Sequence, residues 1–168
     1  MSLTMYSSSI PVFVRSLRNL SAILQKAADY SAEKKIDEAV LVSARLYPNM
    51  FALARQVQIA CDVVKGAGAR LSGVEAPKYE DNEATFDELQ TRIKNTIAFL
   101  QSLPEAKVNG TEEKQIVMQA GSNEYKFKGL DYLNTWALPN LYFHVTTTYN
   151  ILRHNGLDIG KMDFLGGQ

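Results

Sequence analysis

The segment Pro139-Asn140-Leu141-Tyr142-Phe143-His144, which runs on to Leu152-Arg153-His154-Asn155-Gly156, decides the fold of this chain. Proline is favoured in the first turn of a helix, and Asn-Gly is typical of a helix end. Between these two signals the apolar side chains recur at helical spacing, at Leu141, Val145 and Leu152. The pattern predicts a helix near residues 138–155.

Two polar side chains interrupt the apolar character of this helix. Asn140 and His144 are four residues apart, so they lie on one face of the predicted helix. Polar groups among Leu, Tyr, Phe and Val need hydrogen-bond partners if they are buried. The sequence therefore places any functional site near His144.

Working outward, the remaining chain predicts three more amphipathic helices and one hairpin. Thr85 and Glu88 form the pattern of a capping box before an apolar stripe. The alternation around Ala120-Gly121-Ser122-Asn123 is typical of a hairpin. The predicted helices lie near 11–30, 48–68 and 83–103, and the hairpin near 115–128. We expect an all-α protein, an antiparallel up-and-down four-helix bundle with a short β-hairpin between the third and last helices, in one domain spanning 1–168.

Composition and charge exclude several classes of protein. The 168 residues are 46% hydrophobic and 21% charged, with 18 basic and 18 acidic side chains. A nucleic-acid surface normally needs a basic excess, and a membrane span needs a long apolar run, so we expect neither partner. One cysteine, Cys61, leaves no intrachain disulfide. We expect a cytoplasmic protein.

The pattern Asn140…His144…Leu152-Arg153…Gly156 resembles the DinB/YfiT-like superfamily. The stretch from Pro48 to Cys61 and the tail Gly160–Gly166 look like one uncharacterised branch of it. The resemblance implies a four-helix bundle that is often a homodimer. It also implies, for many members, a divalent metal held by three histidines, and for some a thiol-dependent transferase or isomerase activity.

The chain departs from the metal pattern that this resemblance implies. His144 aligns with the second ligand of the last helix, and the first ligand falls on Asn140. The second predicted helix contains no histidine. One imidazole and a neutral amide make a poor set of ligands for zinc-like ions. We therefore predict no bound transition metal, with a divalent metal at His144 as the alternative.

The leading functional hypothesis is a small-ligand-binding bundle, enzymatic or not, with its pocket around His144. Asn140 and His144 would bind the ligand, with Gln56 and Asn49 opposite and Thr148 facing inward. Met50, Leu53 and Trp136 would form apolar walls. In an enzymatic version His144 would act as a general base.

Two other classes of function stay open. One is a metal-dependent thiol S-transferase or isomerase, and the other is a non-catalytic structural or partner-binding bundle. The sequence does not decide whether the chain is an enzyme. The expected partners are an unknown small molecule and a second copy of the chain.

Overall fold

The computed structural model describes residues 3–167 and is mainly helical, with one small antiparallel sheet. Four long helices form its body: α1 Ile10–Lys34, α3 Leu53–Ser72, α4 Phe86–Ser102 and α7 Leu138–His154. The short elements are α2 Glu38–Val42, α5 Glu105–Val108, β1 Gln115–Ala120, β2 Asn123–Lys128, α6 Gly129–Tyr132 and α8 Lys161–Leu165. Within residues 3–167, no helix combines the length and apolar character needed to cross a membrane.

The core lies between the four long helices. α3 packs against α7 and α4, and α1 packs against α4 and α7. Each helix contributes a stripe of buried apolar side chains at helical spacing. These stripes include Phe13, Leu17, Leu20 and Leu24 of α1, Leu53, Val57 and Val64 of α3, Leu89, Ile93 and Leu100 of α4, and Leu141, Val145 and Leu152 of α7.

The direction of the helices differs from the prediction. Asp62, in the middle of α3, pairs with Arg92 in the first half of α4, and Gly68, near the end of α3, lies against Leu100 near the end of α4. α3 and α4 therefore run in the same direction, and the predicted antiparallel up-and-down order is wrong for this pair. Residues 73–85, which we name the strap, return along the length of α3 to make this possible.

The start of α3 also differs from the prediction. The helix begins at Leu53, not at Pro48. Pro48 instead lies in a turn in which the backbone N–H of Met50 donates to the carbonyl of Tyr47 at 2.9 Å. The Arg45 side chain closes this turn by donating to the Met50 carbonyl at 2.9 Å. Proline suits a turn as well as a first helical residue, and these contacts select the turn.

The last long helix is reached through a π-helical segment. α6, the π-helical residues Leu133–Ala137 and α7 follow one another without a break. A proline in a helix removes one N–H donor, and π-turns often accommodate such disturbances. Pro139 follows directly after this segment, within the first turn of α7. The helix thus widens locally just before this proline and stays continuous.

The predicted hairpin is present. β1 pairs antiparallel with β2 from Gln115↔Lys128 to Ala120↔Asn123, across a turn in which Gly121 has φ +60°. Tyr125 and Phe127 lie on one face of β2, and both rings contact Trp136, at centroid distances of 4.8 and 5.7 Å. This aromatic cluster anchors the hairpin to the π-helical segment.

Candidate functional site

His144 lies on α7 and points towards α3, where its imidazole contacts the side chain of Gln56. The two side chains form a buried hydrogen bond of 2.7 Å between His144 Nδ1 and Gln56 Oε1. His144 is 8% exposed and Gln56 is 2% exposed. The structure thus places Gln56 opposite His144, bonded to the imidazole itself.

The amide of Gln56 fixes the tautomer of His144. Gln56 Nε2 donates at 3.1 Å to the carbonyl oxygen of Phe51, which can only accept. The Gln56 oxygen therefore faces His144, so the imidazole Nδ1 must carry the proton and donate it. The Nε2 nitrogen of His144 is left with its lone pair, as a hydrogen-bond acceptor or a metal ligand.

Burial keeps His144 neutral. It lowers the pKa of His144 to about 4, and the positive charge of Arg55 acts in the same direction. An efficient general base has a pKa near its working pH. The environment of His144 shifts its pKa away from neutrality, which argues against the general-base role and favours a neutral acceptor.

One part of the Asn140 side chain is hydrogen-bonded to the backbone that precedes it. Its side-chain Nδ2 donates at 2.7 Å to the carbonyl of Trp136, at the π-helical segment. This bond satisfies backbone in the region that Pro139 disturbs, and it leaves the amide oxygen Oδ1 for a ligand. The structure therefore shows the backbone-bonding role that Asn often takes near helix starts.

Thr148 faces inward, as predicted, but it does not reach the imidazole ring. Its hydroxyl donates at 2.9 Å to the backbone carbonyl of His144, four residues earlier. Thr147 makes the equivalent bond to the carbonyl of Phe143 at 2.7 Å. These hydroxyl protons are bonded to the backbone of α7 and are not available to a ligand.

The structure does not bring Asn49 to the site. Asn49 is exposed in the turn that precedes α3, because the helix begins later than the sequence suggested. The three residues that were predicted to form the apolar walls lie in different parts of the structure. Leu53 is fully buried in the core, Met50 is half-buried in the turn, and Trp136 belongs to the hairpin cluster.

The side chains near His144 do not fit a resident transition metal. His144 is the only nitrogen ligand there, and both the Gln56 and the Asn140 amide are already hydrogen-bonded. Among residues 3–167, no group of three or more His, Cys, Asp or Glu side chains is arranged to hold an ion. His154 is exposed at the end of α7. Cys61 is buried, and burial raises the pKa of its thiol to about 12.

Two exposed aromatic residues, Phe143 and Phe51, were not predicted as part of the site. The Phe143 ring meets the His144 ring edge-on, at a centroid distance of 5.2 Å, and Phe143 is 58% exposed. Phe51, whose carbonyl holds Gln56, is 56% exposed. The periodicity of the sequence places Phe143 off the apolar stripe of α7, so its exposure could have been predicted from that position. Several surface clefts of about 380–780 Å³ lie on other faces, and none of them is lined by His144.

The family follows from a comparison with known proteins. The family model DUF1993, a domain of unknown function, matches residues 5–165. The chain therefore belongs to this family. A solved structure described as a DinB family member protein from Shewanella denitrificans is 42% identical, with a TM-score of 0.90 over 97% of this chain and 92% of that one. Among curated proteins, none matches the chain. The resemblance to an uncharacterised DinB-like branch is confirmed.

Proposed function

We propose that this protein binds a small ligand at His144, through the neutral imidazole, without a transition metal. The observation that supports this proposal is the hydrogen bond from His144 to the Gln56 oxygen, which leaves the Nε2 lone pair for a ligand. A ligand with an N–H or O–H donor beside an apolar or aromatic group suits this chemistry. The donor would meet Nε2, and the apolar part would contact Phe143 and Phe51.

The proposal uses the polar groups that remain after internal hydrogen bonding. Gln56 orients His144 through its oxygen, and Asn140 keeps its Oδ1 oxygen and one Nδ2 hydrogen for a ligand. His144 is therefore the ligand-binding acceptor, with Asn140 as a second acceptor one helical turn away on the same face. Asn49 has no part in this binding, because it lies outside α3 in the turn before the helix.

The enzymatic alternatives have less support. A metal-dependent thiol S-transferase needs a metal centre, and the donors near His144 do not supply one. A general-base mechanism needs a higher pKa than that of His144. The binding hypothesis requires only the acceptor that the Gln56 bond creates.

A metabolite screen by thermal shift tests the proposal. We expect at least one donor-bearing compound to raise the melting temperature of the wild type and of His154→Ala, but not of His144→Ala. His154→Ala is the matched control, since it removes the exposed histidine of the same helix. If a compound still stabilises His144→Ala as strongly as the wild type, or no compound stabilises the wild type, the proposed binding site is refuted.

A structural role for His144 is the second candidate. Its bond to Gln56 joins α3 to α7, and it is buried. Buried hydrogen bonds contribute roughly 0.5–1.5 kcal/mol each to folding. In this case His144→Ala lowers the stability, while no ligand distinguishes it from the wild type.

For the architecture, we propose that α1, α3, α4 and α7 form a four-helix bundle of the DinB/YfiT type, within one domain of residues 1–168. The pairwise packing of these helices around one core supports this. A cytoplasmic location remains part of the proposal. It is supported by the free and buried Cys61, since cytosolic thiols stay reduced.

A further inference from the structure

A recess that the proposed function does not use lies between α1, α7 and α8. Its volume is about 430 Å³, and His144 is not among its lining residues. Clefts of roughly 300–1,000 Å³ are usual for small-molecule sites. α1 lines the recess with Val12, Arg15, Ser16 and Asn19, which share one face of that helix. We name this recess the tail cleft.

α8 is held over α1 by hydrogen bonds from two residues of the tail cleft. Arg15 Nη2 donates to the Leu165 carbonyl at 3.2 Å, and Asn19 Nδ2 donates to the Phe164 carbonyl at 3.0 Å. Lys26 of α1 also pairs with Asp163 of α8. The wall that α8 forms is therefore in place in the folded chain, and the tail cleft is present without any rearrangement.

The tail cleft combines one cation with apolar walls. Arg15 is the only charged side chain in its lining, and no carboxylate within residues 3–167 pairs with this arginine. Its bond to Leu165 uses one of the five guanidinium N–H donors, so others stay free. Arg15 is exposed, whereas Val145 is 2% exposed and Phe164 is half-buried. The charge thus lies at the opening of the cleft, and the apolar side chains lie deeper.

We infer that the tail cleft binds a small monocarboxylate that has an apolar body. A guanidinium matches a carboxylate because it can donate two parallel N–H···O bonds. The Arg15 guanidinium receives the carboxylate at the opening, and Val145 and Phe164 contact the apolar body. The Ser16 hydroxyl supplies a further donor from the same lining.

A phosphate group suits the tail cleft less well than a carboxylate. A phosphate monoester carries a charge of about −1.5 to −2 and three acceptor oxygens. The lining offers one cation to match them, and most of its other side chains are apolar: Val12, Val145, Phe164 and Leu165. The inference does not depend on the ligand that we propose for His144, since His144 and its partners lie outside this cleft.

Titrations with octanoate, octanamide and inorganic phosphate, followed by NMR of isotope-labelled protein, test this inference. We expect octanoate to shift the side-chain amide signal of Asn19 and the backbone amide signals of Phe164 and Leu165. Octanamide has the same apolar chain without the charge, and phosphate has charge without the chain. Each should bind at least about tenfold more weakly than octanoate, the effect of losing one charged hydrogen bond or the apolar contacts.

Two arginines of α1 give a matched pair of variants. Arg15→Gln removes the cation of the tail cleft, and Arg18→Gln removes an exposed cation one turn further on, outside the lining. We expect Arg15→Gln to bind octanoate at least about tenfold more weakly than Arg18→Gln. Ser16→Phe fills the cleft while Arg15 keeps its bond to Leu165, and it should abolish the octanoate shifts with unchanged circular dichroism.

Several results would overturn the inference. These are the absence of shifts with octanoate, shifts confined to residues outside the tail cleft, and equal octanoate affinities for Arg15→Gln and Arg18→Gln. Octanamide or phosphate binding as tightly as octanoate would refute the proposed ligand class. His144→Ala should bind octanoate as the wild type does; a loss of binding in this variant would place octanoate at His144 and refute the tail cleft as its site.

Discussion

Gln56 determines which ring nitrogen of His144 carries the proton, through its own second hydrogen bond. Its amide cannot rotate without losing the bond to the Phe51 carbonyl, so its oxygen stays towards the imidazole. The ring is therefore held as the Nδ1–H tautomer. At the scale of single residues, one backbone carbonyl at the start of α3 determines which nitrogen of a histidine on α7 is available.

The burial of His144 makes the stability of the fold depend on pH. The pKa of His144 is lowered to about 4 in the folded state, from an ordinary value near 6.5. Between these values the unfolded chain binds the proton and the folded chain does not, so stability falls as the pH falls from about 6.5 to about 4. By linkage the loss reaches roughly 3 kcal/mol at the lower end. Urea unfolding at pH 7 and pH 5 measures it.

The control for this prediction is His144→Gln, which removes the titrating group. We expect its stability to change less between pH 7 and pH 5 than that of the wild type. His154→Ala should behave as the wild type, since His154 is exposed. An equal pH dependence in His144→Gln and wild type would show that other groups cause the effect.

The side chains near His144 also lead us to expect that the protein binds no transition metal. Purified protein should contain no stoichiometric zinc, nickel or iron, because among residues 3–167 no three His, Cys, Asp or Glu side chains are grouped to hold an ion. Elemental analysis after gel filtration checks this. About one metal ion per chain, lost in His144→Ala, would instead revive the metal-dependent thiol transferase.

Local signals predicted some elements well and others poorly. The capping box of Thr85 and Glu88 marks the start of α4, and both of its hydrogen bonds are present. Pro48 misled the prediction for α3, because a proline signals a turn as readily as a helix start. This error displaced Asn49 from the helix and removed it from the site. His144 and Gln56 survived, since both lie well inside helices whose periodicity is clear.

A glycine at the junction of β2 and α6 provides a prediction at the scale of elements. A Cβ built on Gly129 would lie 1.9 Å from the backbone oxygen of Thr111, and Gly129 is buried. A backbone atom cannot move aside as a side chain does. We expect Gly129→Ala to destabilise the fold by about 1–3 kcal/mol or more, the usual cost of overpacking.

Gly160→Ala is the matched control for this substitution. No atom lies within 4 Å of the added Cβ at Gly160, and its φ is −128°. We expect a change within about 0.5 kcal/mol, as for other surface substitutions. Thermal unfolding of both variants gives the comparison. Equal melting temperatures would contradict the predicted clash at Gly129.

The sequence does not predict the relative direction of neighbouring helices in the whole molecule. α3 has 20 residues and is about 30 Å long at 1.5 Å per residue. The strap has enough residues to span about 43 Å when extended, so it can return along α3. The loop length therefore permits both parallel and antiparallel neighbours, and periodicity does not distinguish them. The contacts that hold the strap decide the arrangement.

Arg92 makes the largest set of these contacts. Its guanidinium pairs with Asp62 of α3 at 2.9 Å and with Asp81 and Glu83 of the strap at 3.0 and 2.8 Å. Arg92 is 3% exposed. Asp62 and Asp81 also pair with Lys65 and Arg55, so removing Arg92 deprives mainly the largely buried Glu83 of its cation. Arg92 thus connects both parallel helices to the segment that joins them.

The last prediction concerns Arg92→Met, which keeps much of the side-chain volume and removes the charge. We expect a loss of about 1–3 kcal/mol in the free energy of unfolding, because the largely buried Glu83 carboxylate loses its cation while Asp62 and Asp81 keep Lys65 and Arg55. Lys94→Met, on the exposed side of the same helix, should change it by no more than about 0.5 kcal/mol. Trypsin should also cleave after Lys78 in the strap faster in Arg92→Met than in Lys94→Met, since release of the strap exposes its backbone. Equal unfolding energies and equal cleavage rates for the two variants would mean that the strap is held without Arg92, and that the parallel pairing of α3 and α4 depends on apolar packing alone.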